Sequence, residues 1–239
     1  MKRTEDKAIS LFPAIALLAG LFIQNSSAVV ITPGLTYAAA TDSNTDFATH
    51  FHSNSAGAFG TPASKAEVGG FSTTTGIEEV RGFSEFDLAG LSAGPAFISF
   101  DVFSAGGLFV GVNDFPFDGT IDIFSYQGNN TEDLIDFEVT ATMPVDSFPT
   151  AALSVGDSFS FNITSQLDNA LTSGWTSLGI RLQTNGGRPA NGGAFAFDNF
   201  QLTSSDDSTG TNVPDTGATL ALFSIALVGL LGLKRTASA

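Results

Sequence analysis

The chain has 239 residues, 23 of them phenylalanine, no cysteine, and a formal net charge of −15. The missing cysteines exclude thiol catalysis, CxxC redox chemistry and cysteine zinc sites. The scarcity of cations argues against nucleic acid as a partner, because phosphate binding needs clustered Lys and Arg.

At the N-terminus Lys2, Arg3 and Lys7 precede an apolar run from Ala8 to Ile23, and Ser26-Ser27-Ala28 supplies small residues after it. This three-part layout predicts a secretory signal peptide over residues 1–28, cut after Ala28. Pro13 would kink a permanent anchor but is tolerable in a signal peptide. From Val29 to Leu233 there are 22 acidic residues against four cations (Lys65, Arg81, Arg181 and Arg188), a net charge of −18. Charge of that size keeps an exported protein soluble. A mature segment of this length can bury an adequate core without disulfides.

Between residues 29 and 203 the dominant pattern has period two. Ile135, Phe137, Val139 and Ala141 alternate with Asp136, Glu138 and Thr140; Phe159, Phe161 and Ile163 alternate with polar residues; so do Leu178, Ile180 and Leu182. Alternation of this kind predicts strands with one buried face. Further strands are predicted over Glu67–Phe71, Val80–Leu88, Ala96–Phe103, Leu108–Val112, Thr120–Tyr126 and Ala194–Leu202, with turn residues between them. Only Gln166–Leu171 reads as a helical turn. Eight to ten strands without intervening helices predict an all-β ectodomain, a single antiparallel β-sandwich of jelly-roll kind. Phe83, Phe97, Phe103, Phe124 and Phe200 fall out of phase with their neighbours, which predicts doubly covered strands or bulges, and Asp198-Asn199 reads as one bulge.

Residues 204–212 (SSDDSTGTN) read as a flexible linker with nothing to bury. Val213-Pro214-Asp215-Thr216-Gly217 then abuts an apolar run, Ala218 to Leu233, which Lys234 and Arg235 close. Sixteen helical residues span about 24 Å, near the ~30 Å of a hydrocarbon layer, so a single transmembrane helix is predicted. The trailing cations favour a cytoplasmic C-terminus. Pro214 and Gly217 keep the chain extended and then turn it, and Asp215 lies where a helix N-terminus stabilises a carboxylate.

This arrangement over residues 213–239 resembles the PEP-CTERM sorting signals handled by exosortases in Gram-negative bacteria. It matches the Val-Pro-Asp-Ser-Gly variant, with Thr216 in the Ser position. The resemblance implies export, transient residence in the inner membrane, cutting by an exosortase at or near the motif, and a final place at the cell surface, in the outer envelope or in the extracellular matrix. The alternative is a plain membrane anchor. A second resemblance rests on Glu67-Val68-Gly69-Gly70 and on Val80-Arg81-Gly82-Phe83-Ser84-Glu85-Phe86-Asp87-Leu88 with Leu91. These look like the β-sandwich modules of exosortase-sorted and other secreted bacterial proteins, some of them carbohydrate-binding-like.

Chemistry-bearing residues in the ectodomain are few. His50 and His52, the only histidines, point to one side of a strand and could begin a metal site with Asp42, Asp46 or Glu67 as further ligands. A surface loop is the plainer reading of the same residues, and the metal stays unassigned. The acid-rich loops Asn113–Asp122 and Asn129–Asp136 could hold a structural Ca²⁺, although neither has EF-hand spacing. No other cofactor is indicated. Trp175 is the best single candidate for an exposed sugar-stacking ring, its alternative being a cap on the core. No catalytic residue is assigned, since no Gly-x-Ser-x-Gly elbow occurs. The expected function is an exported, exosortase-processed envelope or matrix protein with a structural or adhesive β-sandwich. The alternative is a surface carbohydrate-binding module, calcium-assisted, with polysaccharide or other envelope components as partners. A hydrolase working through paired carboxylates stands behind both.

Overall fold

A computed structural model describes residues 29–43, 45–140 and 142–205. The predicted signal peptide with Ala28, most of the linker, the sorting motif and the apolar run lie outside the described residues. Among those described, no helix is long and apolar enough to cross a membrane.

Among the described residues eleven strands form: β1 (Val29–Pro33), β2 (Leu35–Thr41), β3 (Ala48–Ser53), β4 (Ala66–Thr73), β5 (Gly76–Asp87), β6 (Phe97–Ser104), β7 (Thr120–Gly128), β8 (Met143–Pro149), β9 (Ser158–Asn162), β10 (Ser177–Thr184) and β11 (Gly193–Ser205). Among the described residues one α-helix, α1 (Thr164–Thr172), covers the predicted helical turn. Every pairing is antiparallel. The all-β class is as expected. Instead of the two separate sheets of a jelly roll, hydrogen bonding is continuous along β8-β7-β10-β5-β4-β11-β6-β9, with β1 on β11, β2 on β5 and β3 on β2. The two ends of that path meet through Phe148 of β8 and Phe159 of β9, whose ring centroids are 4.5 Å apart. The sheet is therefore nearly a barrel.

Alternation fills its interior. Leu178, Ile180 and Leu182 of β10, Ile121 and Ile123 of β7, and Ile98, Phe100 and Val102 of β6 all join the main core. In β11 the core residues are Phe195 and Phe197, then Phe200 and Leu202. The change of phase comes from the predicted bulge: the register with β6 slips between Asp198 and Gln201, and Asn199 turns to φ +55°. An extra residue in one strand re-aims every side chain beyond it, and Phe200 is buried for that reason.

The outer face of β5, β10 and β7 is also covered. The segment around Phe137 lies on it and, with β2 and β3, which continue the sheet beyond β5, builds a second core of Tyr37, Ala39, Ala48, Phe83, Tyr126 and Phe137. Phe83 is thus out of phase because β5 is buried on both sides. Tyr126 lies so close over β10 that a Cβ at Gly179 would sit 2.2 Å from its ring. Of the remaining out-of-phase rings, Phe124 faces the Arg181 guanidinium at 5.8 Å and Phe103 the Lys65 ammonium at 4.3 Å. Phe97 is 41 % exposed.

Three predictions need correction. The strand predicted over Ile135–Ala141 does not form across its described residues, 135–140: Ile135–Glu138 forms a 3-10 turn, with Phe137 buried and Ile135 exposed. The Asp133 carboxylate accepts from the N–H groups of Ile135 (2.8 Å) and Asp136 (3.2 Å), a local bond that competes with strand pairing. Leu108–Val112 is also a turn, closed by bonds from the N–H groups of Val112 and Asn113 to the Phe109 carbonyl. Ser204 and Ser205, placed in the linker, belong to β11 and pair with Val30 and Val29. Strands β1, β2, β3 and β8 were not predicted.

Candidate functional site

Strands β3, β2, β5 and β4 pair in that order, and the curl they make brings β3 back over β4. His50 and His52 project from the same side of β3, their ring centroids 5.3 Å apart. Glu67 of β4 and Glu78 of β5 meet them. The His52 Nδ1 lies 2.9 Å from Glu67 Oε2, and its Nε2 lies 3.4 Å from Glu78 Oε2. The His50 Nε2 is 3.6 Å from that same Glu78 oxygen. On the other side of its ring, His50 Nδ1 is 2.9 Å from the Thr49 hydroxyl and 3.7 Å from Asp42.

Burial here is deep and then shallow. His52 is 1 % exposed, its ring edge-on to Phe71 and Phe109, while the side chains of His50 and Glu78 are 24 % and 12 % exposed. Glu67 is fully buried, with its second oxygen accepting from the Leu108 N–H at 3.2 Å. Burial disfavours a charge on His52, but the hydrogen bonds and charges of Glu67 and Glu78 outweigh it and lift the imidazole to about 9. His50 moves down, first through burial and then through the neighbouring His52, against the pull of Glu78 and Asp42.

A second polar cluster lies in the second core. The Tyr37 hydroxyl donates to Asp136 Oδ2 and is 3.5 Å from the Tyr126 hydroxyl, which donates to Glu85 Oε1 at 3.1 Å. Glu85 Oε2 also accepts from the N–H groups of Asn129 (2.9 Å) and Asn130 (2.5 Å) and from the Ser177 hydroxyl (3.2 Å). Burial raises Asp136 to about 7; the Tyr37 hydrogen bond opposes this, and the Glu85 and Asp133 charges and a side-chain hydrogen bond to Glu85 add to it. Both phenols are held neutral, Tyr37 and Tyr126 alike, chiefly by burial. Above them Arg81 and Arg181 grip the 3-10 turn, donating to the Phe137 carbonyl (2.6 Å) and the Val139 carbonyl (2.8 Å) respectively. Burial, then the charge of Arg81, brings Arg181 down to about 10. Glu85 and Asp136 do form a carboxyl pair, yet they are 1 % and 4 % exposed, under two fully buried tyrosines. The pair is closed to solvent.

Of the residues singled out in the sequence, the structure unites His50, His52 and Glu67, with Asp42 at the rim. Asp46 lies elsewhere, 3.5 Å from Arg188. The surface-loop reading of the histidines fails, because His52 is a buried strand residue. Glu78, which completes the cluster, was not singled out. Trp175 packs against the main core, in keeping with a capping ring. In the acid-rich loops Asn113 is fully buried, donating to the Gly70 carbonyl (2.8 Å) and accepting from the Gly193 N–H (3.3 Å). Asp114 accepts from the Gly111 N–H at 2.9 Å and Asp133 serves the 3-10 turn.

The described β-domain thus offers two buried polar clusters, and neither spells out a reaction. The C-terminal segment is more explicit. Residues 212–237 match the family model of the VPDSG-CTERM motif. The matched stretch takes in Val213 to Gly217, the apolar run and both closing cations. It points to an exosortase-type sorting signal and to processing by that machinery. No curated protein matches the chain.

Proposed function

We propose that the chain is an exported, exosortase-processed protein of the cell envelope or extracellular matrix, whose β-domain plays a structural or adhesive part there. The VPDSG-CTERM match at residues 212–237 carries this reading. The ectodomain supports it in two ways. Its acid excess suits an exported, soluble surface. Its loops carry exposed apolar side chains suited to contact, among them Phe47, Phe59, Val110 and Val112. Trp175 gives no support to a sugar platform, since its ring is engaged with the core.

The test is cell fractionation with mass spectrometry of the mature C-terminus, in the native chain and in a deletion of residues 213–217. The native product should lack Leu233 and leave the inner membrane, and the deletion should hold it there uncut. A native product that still ends beyond Leu233 would reduce the segment to a plain anchor.

A further inference from the structure

The histidine cluster is built like a metal centre, and nothing in the sorting signal accounts for it. Donor atoms of His50, His52 and Glu78 all lie within 4.8 Å of one another. At metal–ligand bonds of about 2.1 Å, tetrahedral geometry sets neighbouring donors ~3.4 Å apart. The two separations from Glu78 Oε2, 3.4 Å to His52 Nε2 and 3.6 Å to His50 Nε2, are close to that value.

The groups behind the donors are arranged to match. Each imidazole turns its Nε2 toward Glu78 and has its Nδ1 engaged, His52 by Glu67 at 2.9 Å and His50 by Thr49 at 2.9 Å. A carboxylate on the far nitrogen fixes the ring and its tautomer, which is how metal-ligating histidines are held. Glu67 is itself fixed through the Leu108 N–H. The set is two imidazole nitrogens and one carboxylate oxygen. Zinc and similar divalent transition ions take such ligands, whereas Ca²⁺ and Mg²⁺ prefer oxygen alone. The deep wall is His52, and the partly exposed His50 and Glu78 leave an approach from solvent.

We propose that His50, His52 and Glu78 bind one divalent transition-metal ion of the zinc type, with Glu67 as the orienting residue behind His52. Bound there, the ion cross-links β3 to β5, giving β3 a tie beyond its pairing with β2 and the His52–Glu67 hydrogen bond to β4. Three protein ligands leave a fourth position for water.

The untagged full chain, purified in detergent and stripped with a chelator, is titrated with ZnCl₂ against a chromophoric competitor. One Zn²⁺ per chain should bind, with affinity lowered at least tenfold in His50→Ala and in Glu78→Gln and unchanged in Asp46→Asn. Zn²⁺, and not Ca²⁺, should raise the melting temperature. Because the chain has only two histidines, a measurement on the unaltered chain stands beside the variants: Zn²⁺ should shift the Nε2 resonances of both rings in nitrogen NMR. Absence of saturable Zn²⁺ binding, native affinity retained in His50→Ala or in Glu78→Gln, or unmoved histidine resonances would each overturn the site.

Discussion

Asp136 gives the sharpest test of the second core, because its environment reverses the usual effect of acid on a carboxylate. Its folded-state value of about 7 lies above the ordinary 3.8. Between those limits the folded protein holds one proton that the unfolded chain has released. Stability from this group is fully present below about pH 4 and is lost as pH rises through 7. The slope is about 1.4 kcal/mol per pH unit. The whole span has a ceiling of roughly 4 kcal/mol, and relaxation around the carboxyl pair brings the expected change to about 2–4 kcal/mol. Asp136→Asn reproduces the protonated form: its amide donates to Glu85 and its carbonyl still accepts from Tyr37. Chelator-treated protein is unfolded in urea from pH 4.5 to 7.5, with Trp175, the only tryptophan, as reporter. The variant's margin over the wild type should widen by about 2 kcal/mol between pH 5 and pH 7.5. Titrations remote from the carboxyl pair cancel in the difference, including that of Asp101, which hydrogen bonds from Ser158 and Asn199 hold low. Parallel profiles for the two proteins would refute the buried protonated carboxyl.

Substitutions at two further positions probe backbone features that place the two cores. Gly179→Ala places a methyl 2.2–2.6 Å from three ring atoms of Tyr126, and overpacking of a fixed ring should cost about 2–3 kcal/mol in urea unfolding followed by circular dichroism. An unchanged midpoint would mean that the ring yields freely. At the β11 bulge, Asn199→Val should cost about 1–2 kcal/mol, since a β-branched residue resists a φ of +55°, while Asn199→Gly should lose less. Equal losses would assign the effect to the Asn199–Asp101 hydrogen bond of 2.9 Å instead.

The main core was legible because its strands alternate: β6, β7, β9 and β10 each present apolar residues at every second position, and the β11 bulge announced itself in Asp198-Asn199. Strand β2 was not, because Ala38, Ala39 and Ala40 are all fully buried, and three alanines in a row show no period. At residues 135–141 the period was present and misleading, since a single Asp133 side chain supplied a local alternative to pairing. The histidine site was half legible. Two histidines at i and i+2 share a strand face by geometry alone, and Glu67 was named beside them. Glu78 could not be, because its place depends on register: Ala40 of β2 pairs with His50 on one side and with Val80 on the other. Only that double pairing carries the β5 carboxylate to the imidazoles.

Both polar clusters lie where the β2–β3 hairpin meets the rest of the sheet. Tyr37 of β2 reaches Glu85 of β5 through Tyr126, and the β3 histidines reach Glu67 and Glu78. Buried ionic and hydrogen-bonded pairs contribute little net stability against an apolar filling of the same volume, so their location calls for another reason. The reason lies in the alanines. A hairpin strand whose central residues are Ala38-Ala39-Ala40 can slip by one position at small packing cost, yet a one-residue slip turns every side chain to the opposite face. Slippage would put Thr49 and Phe51 against Glu67 and leave the histidines on the other side, stranding a buried carboxylate without its partner. An unpaired buried charge costs several kcal/mol. The clusters therefore act against the wrong registers more than they act for the right one, and a cysteine-free chain gains by them the alignment that a disulfide would otherwise impose.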